Sequence, residues 1–475
     1  MTQHQDVPTT CPERLHGRLG VPQVVFMVVA MAAPLTVVAG LIPIMIAVGN
    51  GTGVPLDFIL VALILALFTV GFSAMTPEVK DAGAFYSYVQ KGLGKVAGLG
   101  AASLAITTYL VLLVAVSAYL GAATRNALVS LVEISVPWWA LAGLCLLAIG
   151  LLGYRSIEMS ARVLGALLVA EILAVAILDL AIVLQGGRNG LSAAPFSWEA
   201  FSQGAVGTGV MFAIFGFIGF EATAVFRSEA KDPDVTIPRA TYIAVLLIGG
   251  LYAFTAWAVI NGAGVDQVVG MAGASPEGLT TDLANAYLSS FAHDTIQVLL
   301  ATSFFACVLT AHNVVARYLF ALGNQGALPT RFGAVHPDHR SPHVASLTTS
   351  VVVSGLLAVM ALFRLDPVLE IYAWLGGGGT LGLIMLLTLT SVAVVAHFRR
   401  TPGRVSLWKG AIAPTIAFLS LGFILVLVVR NFELLIGTAW LAYVLLAVMV
   451  AALLTGPAWA AWLKARRPAT YAAIE

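Results

Sequence analysis

Two carboxylates stand where carboxylates are rare. Glu171 interrupts the apolar run Ala170-Glu171-Ile172, and Glu221 ends the run Phe212-Ala-Ile-Phe215-Gly216-Phe217-Ile218-Gly219-Phe220-Glu221. An ionisable group set inside a long apolar stretch is costly and usually functional. A carboxyl there can take up and release a proton as its surroundings alternate between wet and dry, so Glu171 and Glu221 are the candidate proton-coupling residues. Asp179 and Glu370 fall nearer the ends of their stretches and read as interfacial carboxylates reached by headgroups or water. Thr310, His312 and Asn313 cluster in another apolar stretch; the lone histidine reads first as a packed, hydrogen-bonded residue. His336, His339 and His343 fit no metal-binding helix spacing and read as loop residues. Cys11, Cys145 and Cys307 are too far apart for a disulfide framework or a zinc site and read as small packing residues. No GxxxxGK[ST] loop is present, so neither ATP-driven pumping nor a nucleotide cofactor is indicated. No Ser/His/Asp constellation points to an enzyme.

The elements that must position these residues follow from composition. Of 475 residues 60% are hydrophobic and only 10% charged, with a mean hydropathy of +0.96. Soluble chains carry about 45–50% apolar and about 25% charged residues, so the solvent that suits this chain is lipid. A helix needs about 20 apolar residues to cross the hydrocarbon, and twelve such spans are expected: 21–48, 55–75, 97–123, 137–153, 157–185, 202–226, 239–262, 286–322, 343–363, 367–396, 409–430 and 434–463. Short tails at 1–20 and 464–475 flank them. The formal charge of +1 gives no nucleic-acid signature. Of the 24 Lys and Arg residues, all but Arg125, Arg188, Arg364 and Arg430 fall on one side of this alternation. Positive residues concentrate in cytoplasmic loops, which predicts a cytoplasmic-membrane protein with both termini inside.

Two spans carry breaks. The first reads Met31-Ala-Ala33-Pro34-Leu-Thr36-Val-Val-Ala-Gly40-Leu-Ile-Pro43, and the sixth contains Gly216 and Gly219. Proline removes a donor and glycine weakens a helix. Breaks at membrane depth are tolerated where backbone lines a cavity, and paired breaks in two halves point to a transporter's central site. The Gly376–Gly379 run permits either a cavity face or close helix approach.

At the sixth span the sequence becomes specific. Gly216-Phe-Ile-Gly-Phe-Glu-Ala222, followed by Glu229-Ala-Lys-Asp-Pro233 and Thr236-Ile-Pro-Arg-Ala-Thr241, resembles the amino acid–polyamine–organocation permeases. Asp81-Ala-Gly-Ala-Phe-Tyr-Ser-Tyr88 through Gly94, Ser160-Ala-Arg162, and Arg317 to Pro329 with Ser341-Pro342 are similar to that family's stretches before helix three, opening helix five and leaving helix eight. The resemblance implies an all-α membrane protein of leucine-transporter type. Two inverted five-helix repeats (21–185 and 202–396) are followed by two further helices (409–463), with helices one and six unwound at midplane. It implies that the unwound backbone holds the substrate's amino and carboxylate groups. By motif, Phe215 takes the place of the aromatic gate, and the Phe215 and Ile218 carbonyls accept the ammonium. Glu221 falls on the family's helix-six glutamate. The implied substrate contacts are Ala33, Thr36, Gly40, Phe215, Gly216, Ile218, Gly219, Thr310 and Asn313.

Two departures stand out. The family's glycine-rich helix-one turn is here Ala33-Pro34-Leu35-Thr36 to Gly40, and Glu171 stands where many proton-coupled or exchanging members carry lysine. A carboxylate there can bind a proton, hydrogen-bond the helix-one backbone or touch a cationic substrate. The expected function is alternating-access transport of a small amine-bearing solute, first an amino acid, coupled to protons or to exchange. A polyamine or primary-amine permease is the alternative. A non-transporting amino-acid sensor would need a signalling extension that the short tails do not supply, and a channel does not need the paired breaks.

Overall fold

The computed structural model describes residues 19–79, 84–155, 161–221, 223, 230–339 and 341–473. Ser160, Ala222, Glu229, Asp81–Gly83, Cys11 and most of the 1–20 tail, all part of the reading above, lie outside them. The chain is helical. Among the described residues, ten helical stretches are long and apolar enough to cross a bilayer, and two expected spans are occupied by shorter apolar helices, Trp138–Tyr154 and Val206–Gly216.

In chain order the helices are α1 (Val21–Met31), α2 (Ile42–Val48), α3 (Val54–Met75), α4 (Ala84–Leu93), α5 (Lys95–Val132), α6 (Trp138–Tyr154), α7 (Ala161–Leu184), α8 (Trp198–Gln203) and α9 (Val206–Gly216). They continue with α10 (Pro233–Ala263), α11 (Val268–Ala274), α12 (Leu279–Tyr287), α13 (Ser290–Asn324), α14 (His343–Leu362), α15 (Ala373–Arg400), α16 (Ala413–Ile436), α17 (Ala439–Arg466) and α18 (Pro468–Ala473). Their ends follow local rules. Proline sits in the first turn of α3 and α10, where its missing N–H costs nothing, and Gly437 closes α16 at φ 72°. The expected span 286–322 is divided: residues 286–287 close α12, and a serine-capped start at Ser289 opens α13.

The helices are not equally enclosed. The most apolar windows of Val21–Val48 and of α5 are 72% buried, whereas those of α14 and α17 are 28% and 22% buried. Large apolar side chains such as Leu144, Leu147, Leu173, Leu419 and Phe423 therefore face outward, an exterior that suits hydrocarbon rather than water. The first span runs through the centre, with Val24, Val28, Leu35, Val38, Ile42 and Ile44 fully buried. The Gly376–Gly379 run resolves as close packing: a Cβ at Gly377 would meet Leu435 and Met211, and one at Gly379 would meet Leu112.

Candidate functional site

The first span does not wind as one α-helix. α1 ends at Met31, Ala33 takes φ +45°, and Thr36–Leu41 forms a wider π-type turn before α2. Pro34 brings no N–H, and the amides of Thr36 and Val37 both donate to the Ala33 carbonyl, at 2.9 and 3.4 Å. The Leu35 amide turns outward and donates to Glu171 Oε2 on α7, at 3.4 Å. Ser303 of α13 donates to the same oxygen at 3.0 Å, and its Oγ lies 2.9 Å from Thr36 Oγ1. Thus Thr36, Ser303 and Glu171 form one buried polar chain across three helices. Beside it lies a recess with room for about one water, lined by Ala30, Ala33, Leu168, Glu171, Ser303 and Ala306.

The sixth span breaks after α9. The Phe217 and Ile218 amides fold back onto the Ile214 and Phe215 carbonyls in a tight turn, each at 3.1 Å, and Gly219 follows at φ +107°. A side chain at Gly219 would stand 3.3 Å from the Met31 Cβ, so the two breaks touch. The Gly219 amide donates to Glu221 Oε2 at 3.0 Å, and the Tyr109 hydroxyl of α5 donates to Oε1 at 2.7 Å. Tyr109 in turn stacks on Tyr318 of α13, with centroids 5.7 Å apart.

On the side of the breaks toward α2, aromatic rings pack into a seal. Tyr119 stacks on Phe304 at 4.4 Å and meets Tyr372 edge-on at 4.9 Å, and Phe215 joins Tyr372 at 5.5 Å. Two glycines make room for these rings. A Cβ on Gly40 would come within 2.9 Å of Phe304, and one on Gly376 within 2.9 Å of Phe215.

Two interrupted helices are thus in contact, with a buried carboxyl bonded at each interruption and aromatic rings packed beside them. The family described as Amino acid permease matches residues 19–458. The chain belongs to that family. It is similar to the low-affinity putrescine importer PlaP of Escherichia coli (strain K12), 24% identical over 411 residues that cover 83% of this chain and 84% of the relative. It is equally similar to the branched-chain amino acid permease BcaP of Bacillus subtilis (strain 168), 24% identical with 81% and 82% covered. Over a shorter stretch, 36% of this chain and 38% of the relative, it is 25% identical to the serine/threonine exchanger SteT of the same bacterium. The permease is accordingly an integral membrane transporter and not an enzyme.

The structure brings Ala33, Thr36, Gly40, Phe215, Gly216, Ile218, Gly219, Glu171 and Glu221 to the paired breaks. Gly216 lies where a side chain would meet Phe58 and Val37. Thr310 shares the α13 face of Ser303, two turns on, but its hydroxyl donates to the Ala306 carbonyl of its own helix at 2.9 Å. Asn313 lies one turn beyond, half-buried. His312 points the other way, its Nε2 2.9 Å from Ser350 Oγ of α14. His336 and His339 of the loop gather around the Tyr154 ring with His343, which is not a loop residue as expected but the first residue of α14, following Pro342. A second expectation is corrected. Asp179 is not an interfacial carboxylate: it is 2% exposed and accepts from Thr255 of α10 at 2.6 Å, because its face of α7 is turned onto a neighbouring helix rather than toward headgroups.

Sequence reasoning missed Ser303, Tyr109, Tyr119, Phe304 and Tyr372, as well as Asp57, which is fully buried and bonded by Asn50 at 3.1 Å. Ser303 was findable, since it lies seven residues before Thr310 and so on the same helical face. The aromatic residues look like ordinary core until the packing is known.

Proposed function

We propose that this permease is a secondary transporter with twelve membrane helices, arranged as two inverted five-helix repeats plus two, that moves a small amine-bearing solute by alternating access. The solute binds at the paired breaks of spans one and six, in contact with Thr36, Phe215 and Ile218, near the bilayer midplane. The single observation that carries this reading is the contact between the two interruptions, where Gly219 faces Met31 just before the turn at Ala33. Helix backbone is left unwound at membrane depth only where it lines a protein-enclosed site. Relatives named as a putrescine importer and a branched-chain amino acid permease support amines and amino acids as the substrate range.

Protons couple through Glu221 or Glu171, or the solute is exchanged. Glu221 bridges the break of span six to α5, and Glu171 bridges the break of span one to α7 and α13. A change of protonation at either carboxyl alters which helices are tied together, and that is what an alternating cycle requires. The aromatic seal over Gly40 closes the outer path, since the positive-inside pattern places α2 outward.

Uptake into proteoliposomes of a labelled panel of amino acids and amines, with and without an inward proton gradient, tests the reading. Accumulation driven by the gradient, or counterflow against preloaded solute, is the expected result. No uptake and no counterflow across the whole panel overturns it.

A further inference from the structure

The hydrogen bonds at the paired breaks also bear on which solute enters. A broken helix offers a ligand two kinds of end: an N-terminal end with unpaired N–H groups and partial positive charge, and a C-terminal end with carbonyls and partial negative charge. A substrate carboxylate needs the first kind. Here the chain occupies that kind itself. At the start of the outer part of span one, Pro34 has no N–H, Leu35 donates to Glu171, and Thr36 and Val37 donate to the Ala33 carbonyl. At the corresponding place in span six, Phe217 and Ile218 donate to Ile214 and Phe215, Phe220 donates to Phe217, and Gly219 donates to Glu221. Among the described residues, one amide at each break, Leu35 at the first and Gly219 at the second, is thus held by one of the protein's own carboxyl groups. The hydroxyls of Thr36 and Ser303 are drawn into the chain that ends on Glu171, and the Tyr252 hydroxyl donates to the Ala32 carbonyl at 3.4 Å.

The C-terminal ends are differently placed. α1 stops at Met31 and α9 at Gly216, three residues before the Gly219 that faces Met31, so both helices end at the paired breaks with their negative poles. No Lys or Arg occurs in 21–48, 165–184, 206–221 or 290–316, the stretches that surround it. A solute carboxylate brought there would find the described amide donors of the breaks already taken, no cationic side chain from these stretches, and two acidic groups beside it. An ammonium would find helix carbonyls and those same two acids.

From this we infer that the substrate is a primary amine cation without an α-carboxylate, an alkylamine or a diamine, and that Glu171 excludes the amino acids by holding the Leu35 amide. The inference rests on the transport reading above and narrows it to one half of its substrate range.

The experiment uses matched pairs that differ only by the carboxylate: putrescine against ornithine, cadaverine against lysine, agmatine against arginine, 3-methylbutylamine against leucine and phenethylamine against phenylalanine. Uptake and its inhibition are measured with the full chain in proteoliposomes. For at least one pair the amine is expected to reach half-maximal inhibition at a concentration lower by about tenfold or more, the scale of one hydrogen bond to a charged group. Equal or stronger action by the amino acid in every pair that acts overturns the inference and leaves the transport reading standing. Inertness of both members of all pairs, with no counterflow, overturns the transport reading and the inference with it. Two variants address the cause, each checked for an unchanged melting transition. Glu171→Gln retains an acceptor for the Leu35 amide and is expected to keep the discrimination. Glu171→Ala releases that amide and is expected to bring the ratio toward one. A ratio unchanged in Glu171→Ala removes Glu171 from this role.

Discussion

Ala33 holds φ at +45°, a backbone region that costs a residue with a Cβ about 1–2 kcal/mol. The strain sits at the point where span one is interrupted and where the Ala33 carbonyl collects two amides. Ala33→Gly is therefore expected to raise the thermal unfolding midpoint in detergent, since glycine adopts this conformation freely. An unchanged or lowered midpoint would show that the turn is not strained. Among the described residues, Glu221 receives its hydrogen bond from another helix from Tyr109. Tyr109→Phe keeps the ring stacked on Tyr318 and removes the hydroxyl, so the initial uptake rate is expected to fall by about tenfold, the worth of one charge-assisted bond, with an altered dependence on outer pH. A pH–rate profile superimposable on that of the parent would deny Tyr109 a part in coupling. The carboxyls themselves were legible in the chain, because an acid in an apolar run needs a reason. Their partners were not: Leu35 and Glu171 are 136 residues apart, and Tyr109 and Glu221 are 112 apart.

At the scale of helices, the interruption of span six depends on one glycine that is both bent and crowded. Gly219 has φ +107° and faces Met31 at 3.3 Å. Gly219→Ala is expected to abolish uptake, because the new methyl group meets the neighbouring break and the residue resists that conformation. Gly250, within α10 and open on its Cβ side, is the matched control. Gly250→Ala is expected to leave uptake unchanged and to add up to about 1 kcal/mol of stability, the helical preference of alanine. Equal uptake in the two variants would remove the break of span six from the mechanism. Pro34, Gly216 and Gly219 marked both interruptions in advance, since proline and glycine weaken helices by their own chemistry. The 286–322 stretch is visibly longer than one span requires, but its division at Leu288 and Ser289 is not visible, because residues 286–287 belong to a helix begun outside that stretch.

Across the whole molecule, two acids each tie one interruption to surrounding helices, and the proposed proton coupling rests on those ties. With an acidic outer solution the parent protein is expected to accumulate solute above its equilibrium level. Glu171→Gln is expected to lose that gradient-driven accumulation while retaining solute exchange, as read by labelled counterflow. Full accumulation by Glu171→Gln at every outer pH would assign coupling elsewhere. What the linear chain determined by itself is coarse and robust. Apolar length dictates helices that suit lipid, the asymmetry of Lys and Arg sets an expected orientation, and Pro and Gly mark where helices weaken, because each of these effects acts within a few residues. Only the tertiary structure decided which groups meet at the weak points. It turned Asp179 onto Thr255, set His312 against Ser350 rather than the central breaks, and gave the Leu35 amide to Glu171. Those choices depend on which helix faces are packed together, and in a chain whose lipid-facing and core-facing side chains are equally apolar, residue type does not distinguish the two.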